Sequence, residues 1–200
     1  MGLTFDEPSH TYRVDGRVVP SVTQLLDKLH DFAGVPEEVL EAAKQRGTYV
    51  HRMCEMFDKD ELDIPLVPVH YRGYLSAWEA FSVEYGPQWQ GIEFQDFSRL
   101  FGYAGTMDRC GTLPLKYPPT TRWVVDIKTS ADAHPVWGMQ TAAYRQIKAE
   151  ADASYALARR ATVQLRADGR FKFLPWDEPT DWPAFQSLIT LSNWSNKCLK

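Results

Sequence analysis

Cysteine is scarce in this chain: three among 200 residues, at Cys54, Cys110 and Cys198. They show neither the paired spacing of a zinc site nor an even-numbered disulfide framework, so reduced, structural thiols are expected. No segment has the roughly 20 consecutive apolar residues that span a bilayer, and no membrane partner is expected. The opening M-G-L-T-F-D-E-P lacks a basic patch followed by an apolar run, and Met1-Gly2 lacks the following Ser or Thr of a myristoylation signal. A cytoplasmic protein is the resulting expectation. There is no P-loop, internal repeat or low-complexity tract. An excess of positive charge is also missing: the formal net charge is −4, which at first argues against nucleic acid. Against these absences stand 44% hydrophobic residues and seven tryptophans. They suffice for one domain over residues 1–200 with a substantial core.

The charge is unevenly placed. Residues 27–63 hold ten acidic and five basic side chains, and residues 141–172 hold seven basic and three acidic. That distribution suits a protein that meets DNA on one side, and is equally ordinary for a solvated surface. Along the chain, alternating residues around Asp15-Gly16 predict a tight hairpin. Ser21 then caps a helix through Val22, Leu25, Leu26 and Leu29. A second helix starts after Pro36 and runs to about Asp58, loosened or interrupted at Gly47. A third covers His70 to about Tyr85 and stops at Gly86-Pro87. Strands follow over Ile92–Phe97, Phe101–Cys110 and Arg122–Thr129, then a helix over Val136–Ala153. Two more strands, Ala161–Leu165 and Phe171–Pro175, precede a last helix over Trp182–Trp194. The order predicts an α/β fold: a small mixed central β-sheet flanked by helices. Residues 1–90 form its hairpin and helical part, and residues 91–175 its core sheet and helix.

Eighteen residues separate Asp108 from Asp126, and Lys128 follows two residues later. Two acids at the ends of neighbouring strands can converge on a divalent metal, with the Ile127 carbonyl left free as a further oxygen ligand. Strand alternation puts Lys128 on the face of Asp126. An ammonium there can position a water or stabilise charge on a phosphate. Gly102 and Gly105 permit close approach of backbone or substrate. The pattern therefore points to metal-dependent phosphoryl chemistry. Each element has a plainer reading, as a surface ion pair or a turn cap.

Four motifs in register carry a resemblance. Gly47-Thr48-Tyr49-Val50-His51 reads G-x-x-x-H, and Gly105-Thr106-Met107-Asp108 reads G-x-x-D. Asp126-Ile127-Lys128 reads D-x-K, and Gln140-Thr141-Ala142-Ala143-Tyr144 reads Q-x-x-x-Y. Over residues 12–145 the chain resembles the PD-(D/E)XK nuclease superfamily, in particular its RecB-like branch of phage exonucleases and Cas4-like nucleases. The resemblance implies a restriction-endonuclease-like core and a Mg2+-dependent DNA exonuclease, with Mn2+ as substitute. It implies service in phage recombination, replication or genome processing, in the host cytoplasm and beside a recombination or replication protein. It assigns the metal to His51, Asp108, Asp126 and the Ile127 carbonyl, with catalysis by Asp108, Asp126 and Lys128. Glu93 is a candidate second-metal ligand or an ordinary strand end. Gln140 and Tyr144 would hold the scissile phosphate or the lysine. Glu55, one turn after His51, either orients the imidazole or pairs with Arg52 or Lys59. Arg145, Lys148, Arg159 and Arg160, followed by Arg166, Arg170 and Lys172, are expected as DNA phosphate contacts. Three cysteines in this distribution do not fit the iron–sulfur cluster of Cas4-like members, so none is expected. An endonuclease specific for structures or nicks, and a silent DNA-binding or protein-interaction module on the same fold, stay open.

Overall fold

The computed structural model describes residues 2–7, 9–29 and 34–199. Asp15 and Gly16 both take left-handed angles, φ 49° and 79°, as a two-residue hairpin with twisted strands demands. They join β2 (Thr11–Val14) to β3 (Arg17–Val19). A further strand, β1 (Leu3–Asp6), pairs with β2 and escapes sequence reading because four residues are too few to show a period. Ser21 caps α1 (Val22–Leu26) in a reciprocal box with Gln24. Leu29, expected within this helix, instead sits exposed in the 3-10 turn that follows.

The helix α2 (Glu37–Asp58) runs unbroken through Gly47, which corrects the expected interruption. One glycine costs a helix about 1 kcal/mol. The buried residues Val50, Met53 and Cys54 anchor α2 to the sheet and outweigh it. The next helix, α3 (Arg72–Tyr85), ends at left-handed Gly86. There follow β4 (Gln88–Ser98), β5 (Tyr103–Thr112), β6 (Trp123–Lys128), α4 (Val136–Ala151), β7 (Arg159–Leu165), β8 (Phe171–Pro175) and α5 (Asp181–Cys198).

The last five strands form one mixed sheet in the order β4-β5-β6-β7-β8. Only β6 and β7 are parallel, because α4 carries the chain back across the sheet between them. Alternation on β6 divides the core. Trp123, Val125 and Ile127 pack with α2 and α3 around Trp78 and Phe81, whereas Val124 packs with α1, α4 and α5. A small third cluster of Tyr12, Phe97 and Ala104 seats the three-stranded sheet on β4 and β5. Among the described residues no helix is long and apolar enough to cross a membrane.

Candidate metal centre

The β5–β6 ladder runs from Gly111↔Trp123 to Arg109↔Val125 and stops. One step further, Asp108 and Asp126 occupy facing positions, and the strands part. Ile127 turns its backbone groups to side chains instead of to β5. Its N–H donates to Asp108 Oδ2 at 2.7 Å, and its carbonyl lies 2.9 Å from His51 Nε2. On the other edge of β5, the pairs Ile92↔Arg109 and Phe94↔Met107 bracket Glu93 against Asp108. Three successive strands therefore carry Glu93, Asp108 and Asp126 in one row, which Thr162 on β7 continues.

His51 reaches this row from α2, with Nδ1 3.5 Å from Asp108 Oδ2. The ligand atoms of His51, Glu93 and Asp108 all lie within 4.8 Å of one another, a partly to fully buried cluster able to coordinate a metal ion. Glu93 has φ 47° inside a strand. A non-glycine residue held there costs about 1–2 kcal/mol, and the surrounding contacts must impose it.

Arg109 braces the cluster from within the core, and sequence reading does not find it. Its side chain is fully buried. Nε donates to Asp58 Oδ2 at 2.6 Å; one terminal nitrogen donates to Glu93 Oε1 at 3.1 Å and to the Asp108 carbonyl at 2.6 Å. The guanidinium also lies over the Trp78 ring, and Trp78 donates to Asp58. Asp58 lies seven residues after His51 on the same helix, so this one side chain ties together α2, β4 and β5, the three elements that hold the cluster. The other terminal nitrogen has no partner.

The charges are strongly coupled. Burial works against charge on Asp108, but the His51 imidazolium and Lys128 beside it outweigh burial and hold its pKa at about 2. His51 also loses solvent, yet the Asp108 carboxylate raises its pKa to about 9. Burial, then the Asp108 charge, pushes Glu93 up to about 7. The same two causes push Asp126 up to about 6, against the pull of Lys128. Lys128 Nζ approaches Asp126 Oδ2 to 2.9 Å. That ion pair engages one Asp126 oxygen, and the other, Oδ1, is buried without a hydrogen-bond partner. A buried carboxylate is costly unless a cation completes it, and Lys128 is the cation at hand for Asp126. The two carboxylates and one imidazole of His51, Glu93 and Asp108 suit a divalent ion; Asp126 is outside that set and faces it from the next strand. The residues fit that group.

No protein-family model and no curated sequence matches the chain. The remaining expected residues are placed by the geometry alone. Gln140 donates to the Tyr144 hydroxyl at 3.2 Å, both buried on α4. The nearby Asp126 and Asp108 charges add to burial in raising the Tyr144 hydroxyl. The Tyr144 ring lies 2.8 Å from where a Cβ on Gly105 would stand, so that glycine admits the ring, not a substrate. The Ile127 carbonyl is not free, as expected, but engaged by His51; its second lone pair is what is left for a cation. Glu55 does not orient His51. Arg52 and Lys59 hold it at 2.7 and 2.6 Å, and the imidazole is oriented by Ile127 and Asp108.

The expected DNA contacts are not gathered at the metal cluster. Arg159 pairs with Trp123 and Arg160 with Val124, whereas Lys128 pairs with Gln164. Arg159 thus lies about 16 Å along the sheet from Lys128. Arg160 is interior, donating to the Gly138 carbonyl at 2.6 Å and to Asp181 at 2.8 Å, so its guanidinium is already engaged where a phosphate contact was expected. Lys148 lies over the rings of Phe94 and Tyr155. Arg170 is occupied by Asp168. A cation absent from the expected set does reach the site: Arg46, on α2, has Nε 3.4 Å from Thr129 Oγ1, next to Lys128.

Proposed function

We propose that the chain is a divalent-metal-dependent deoxyribonuclease with a restriction-endonuclease-like core, of the RecB-like branch of the PD-(D/E)XK superfamily, acting as an exonuclease. The observation that carries the reading is the row Glu93–Asp108–Asp126 at the opened β5–β6 ladder, with His51 reaching it and Lys128 beside it. A Mg2+ or Mn2+ ion held by His51, Glu93, Asp108 and Asp126, with the Ile127 carbonyl as further donor, would supply charge neutralisation at phosphorus and acidify a water. The chain's own groups do the rest. Lys128 sits at the strand end with its side chain one-fifth exposed, placed to hold a water or a phosphate oxygen as charge develops. Gln140 and Tyr144, fixed to each other on α4, wall the acids and keep bulk water from them. Arg46 and Thr129 supply a cation and a hydroxyl for a phosphate at the same end of β6. The expected partner is DNA, in phage recombination, replication or genome processing.

The test is cleavage with Mg2+ of linear and of covalently closed circular DNA, with product lengths resolved. An exonuclease consumes the linear form and spares the circle. Cutting of the circle makes the protein an endonuclease, and binding without cutting makes it a silent module. Asp126→Ala is expected to abolish cleavage and leave DNA binding as tight or tighter. Lys128→Ala is expected to lower turnover by about 10²-fold or more with metal affinity unchanged. Cleavage by D126A at the wild-type rate would overturn the site.

A further inference from the structure

Several of the basic residues that do not reach the metal cluster meet elsewhere, around a cavity of about 390 Å³, a volume within the range of small-ligand sites. Arg145 enters from α4, Arg159 and Arg160 from the start of β7, Trp176 from the end of β8 and Trp182 from the first turn of α5; Leu157 stands at its rim. The charges do not cancel evenly. Arg160 is neutralised by Asp181 at 2.8 Å. Arg159 meets Asp177 at 3.5 Å, and that carboxylate is 70% exposed. The Glu178 carboxylate, also in the lining, is taken by the Thr180 N–H and hydroxyl. Arg145 is left over. Its hydrogen bond is a long one, 3.4 Å to the Ala158 carbonyl, and no carboxylate lies within ion-pair distance of it among the described residues. Burial and the Arg160 charge lower its pKa against the weaker, more distant pull of Asp181.

The two indoles are fixed before any ligand arrives. Trp176 donates to Thr162 Oγ1 at 2.9 Å. Trp182 is packed edge-on against Phe101 and stacked with Phe185. Rigid aromatic surface next to an unpaired guanidinium is the combination that binds a base together with its phosphate, and it does so without reading sequence. We infer that this cavity is a nucleotide-binding site separate from the metal cluster, with Arg145 taking the phosphate and the indoles of Trp176 and Trp182 taking the base. The choice of a nucleotide among aromatic anions rests on the nuclease reading above; the cavity and its unpaired cation do not. The nucleotide has two sources, a unit within a bound single strand or a released mononucleotide.

The experiment is done in EDTA, so that no cleavage intervenes, with tryptophan fluorescence and anisotropy as readouts. The probes are dAMP and a short fluorescein-labelled single strand. Arg145→Gln is expected to weaken binding about tenfold or more. Leu157 is 93% exposed, so charge can be placed there without disturbing the fold. Leu157→Glu should weaken binding and Leu157→Lys strengthen it, each by about threefold. Val83→Glu, on α3 across the sheet, should change nothing. Binding of dAMP with this pattern assigns the site to free nucleotide; binding of the strand alone with this pattern assigns it to strand. No binding of either probe, or binding indifferent to all changes at Arg145 and Leu157, overturns the inference. Asp126→Ala should bind both probes as the wild type does. A protein that never cuts DNA but shows this binding pattern loses the nuclease reading and keeps the cavity's.

Discussion

Arg109 exerts on the metal cluster an influence that none of the motif residues has, because it bonds to α2, β4 and β5, the elements that carry His51, Glu93 and Asp108. Replacing it by Met leaves Asp58 and Glu93 buried without their cation, a loss of about 3–5 kcal/mol. Arg109→Lys keeps the charge but not the fork that spans Asp58 and Glu93. It should stay folded while binding Mn2+ at least about tenfold more weakly. Denaturant unfolding and calorimetric Mn2+ titration measure the two effects. A folded R109K protein with unchanged Mn2+ affinity would reduce Arg109 to a packing role. Asp108, Asp126 and Lys128 are legible in the sequence because strand alternation alone puts carboxylate and ammonium on one face. Arg109 is not, since an arginine next to an aspartate reads as a surface pair. Its burial follows only once helices cover both faces of β5. Glu93 stands open in the sequence between ligand and solvated strand end, and what draws it into the cluster is a register between β4 and β5 that no local pattern encodes.

At the scale of elements, most of the helices and strands are readable in the sequence, because caps and turns coincide with changes of period. Ser21 with Gln24, the Asp15-Gly16 pair and Gly86 each end or begin an element where expected. Misplaced features fall where tertiary packing overrides local preference, as in α2. Its Gly47 lies in the helix interior, and a methyl group added there would meet no atom within 4 Å. Gly47→Ala is therefore expected to stabilise the protein by about 0.5–1 kcal/mol, read as an upward shift in thermal midpoint. If stability rises while cleavage falls, the glycine serves substrate approach beside His51. If stability falls, the unbroken helix is the wrong description of this segment. The basic cluster shows the limit at this scale. Composition locates seven cations in one stretch of chain, but the β6–β7 register sends Arg159 and Arg160 away from Lys128.

For the whole molecule, the site sets a pH dependence of stability. Glu93 at about 7 and Asp126 at about 6 hold protons in the folded state that an unfolded chain, with carboxyls near 4, has already lost. His51 at about 9 does the same above its unfolded value of about 6.5. Between pH 5 and 8 the folded state binds more protons, so stability falls as pH rises. Asp108, depressed to about 2, acts in the opposite sense but only below about pH 4. In EDTA the thermal midpoint should drop by at least about 5 °C from pH 5 to pH 8. Saturating Mg2+ should shrink that drop, because an ion takes the place of the protons. A midpoint that is flat in EDTA, or that Mg2+ leaves unchanged, would argue against the charge arrangement. The parting of β5 and β6 has an evolutionary side as well. His51 and Asp108 close the backbone of Ile127, so a lineage that lost either would open its own sheet. Asp126 closes no backbone: it pairs with Lys128 at 2.9 Å, so a neutral side chain there leaves that ammonium without its partner. Loss of Asp126 alone would thus strand a charge at the strand end, and loss of the pair together would not.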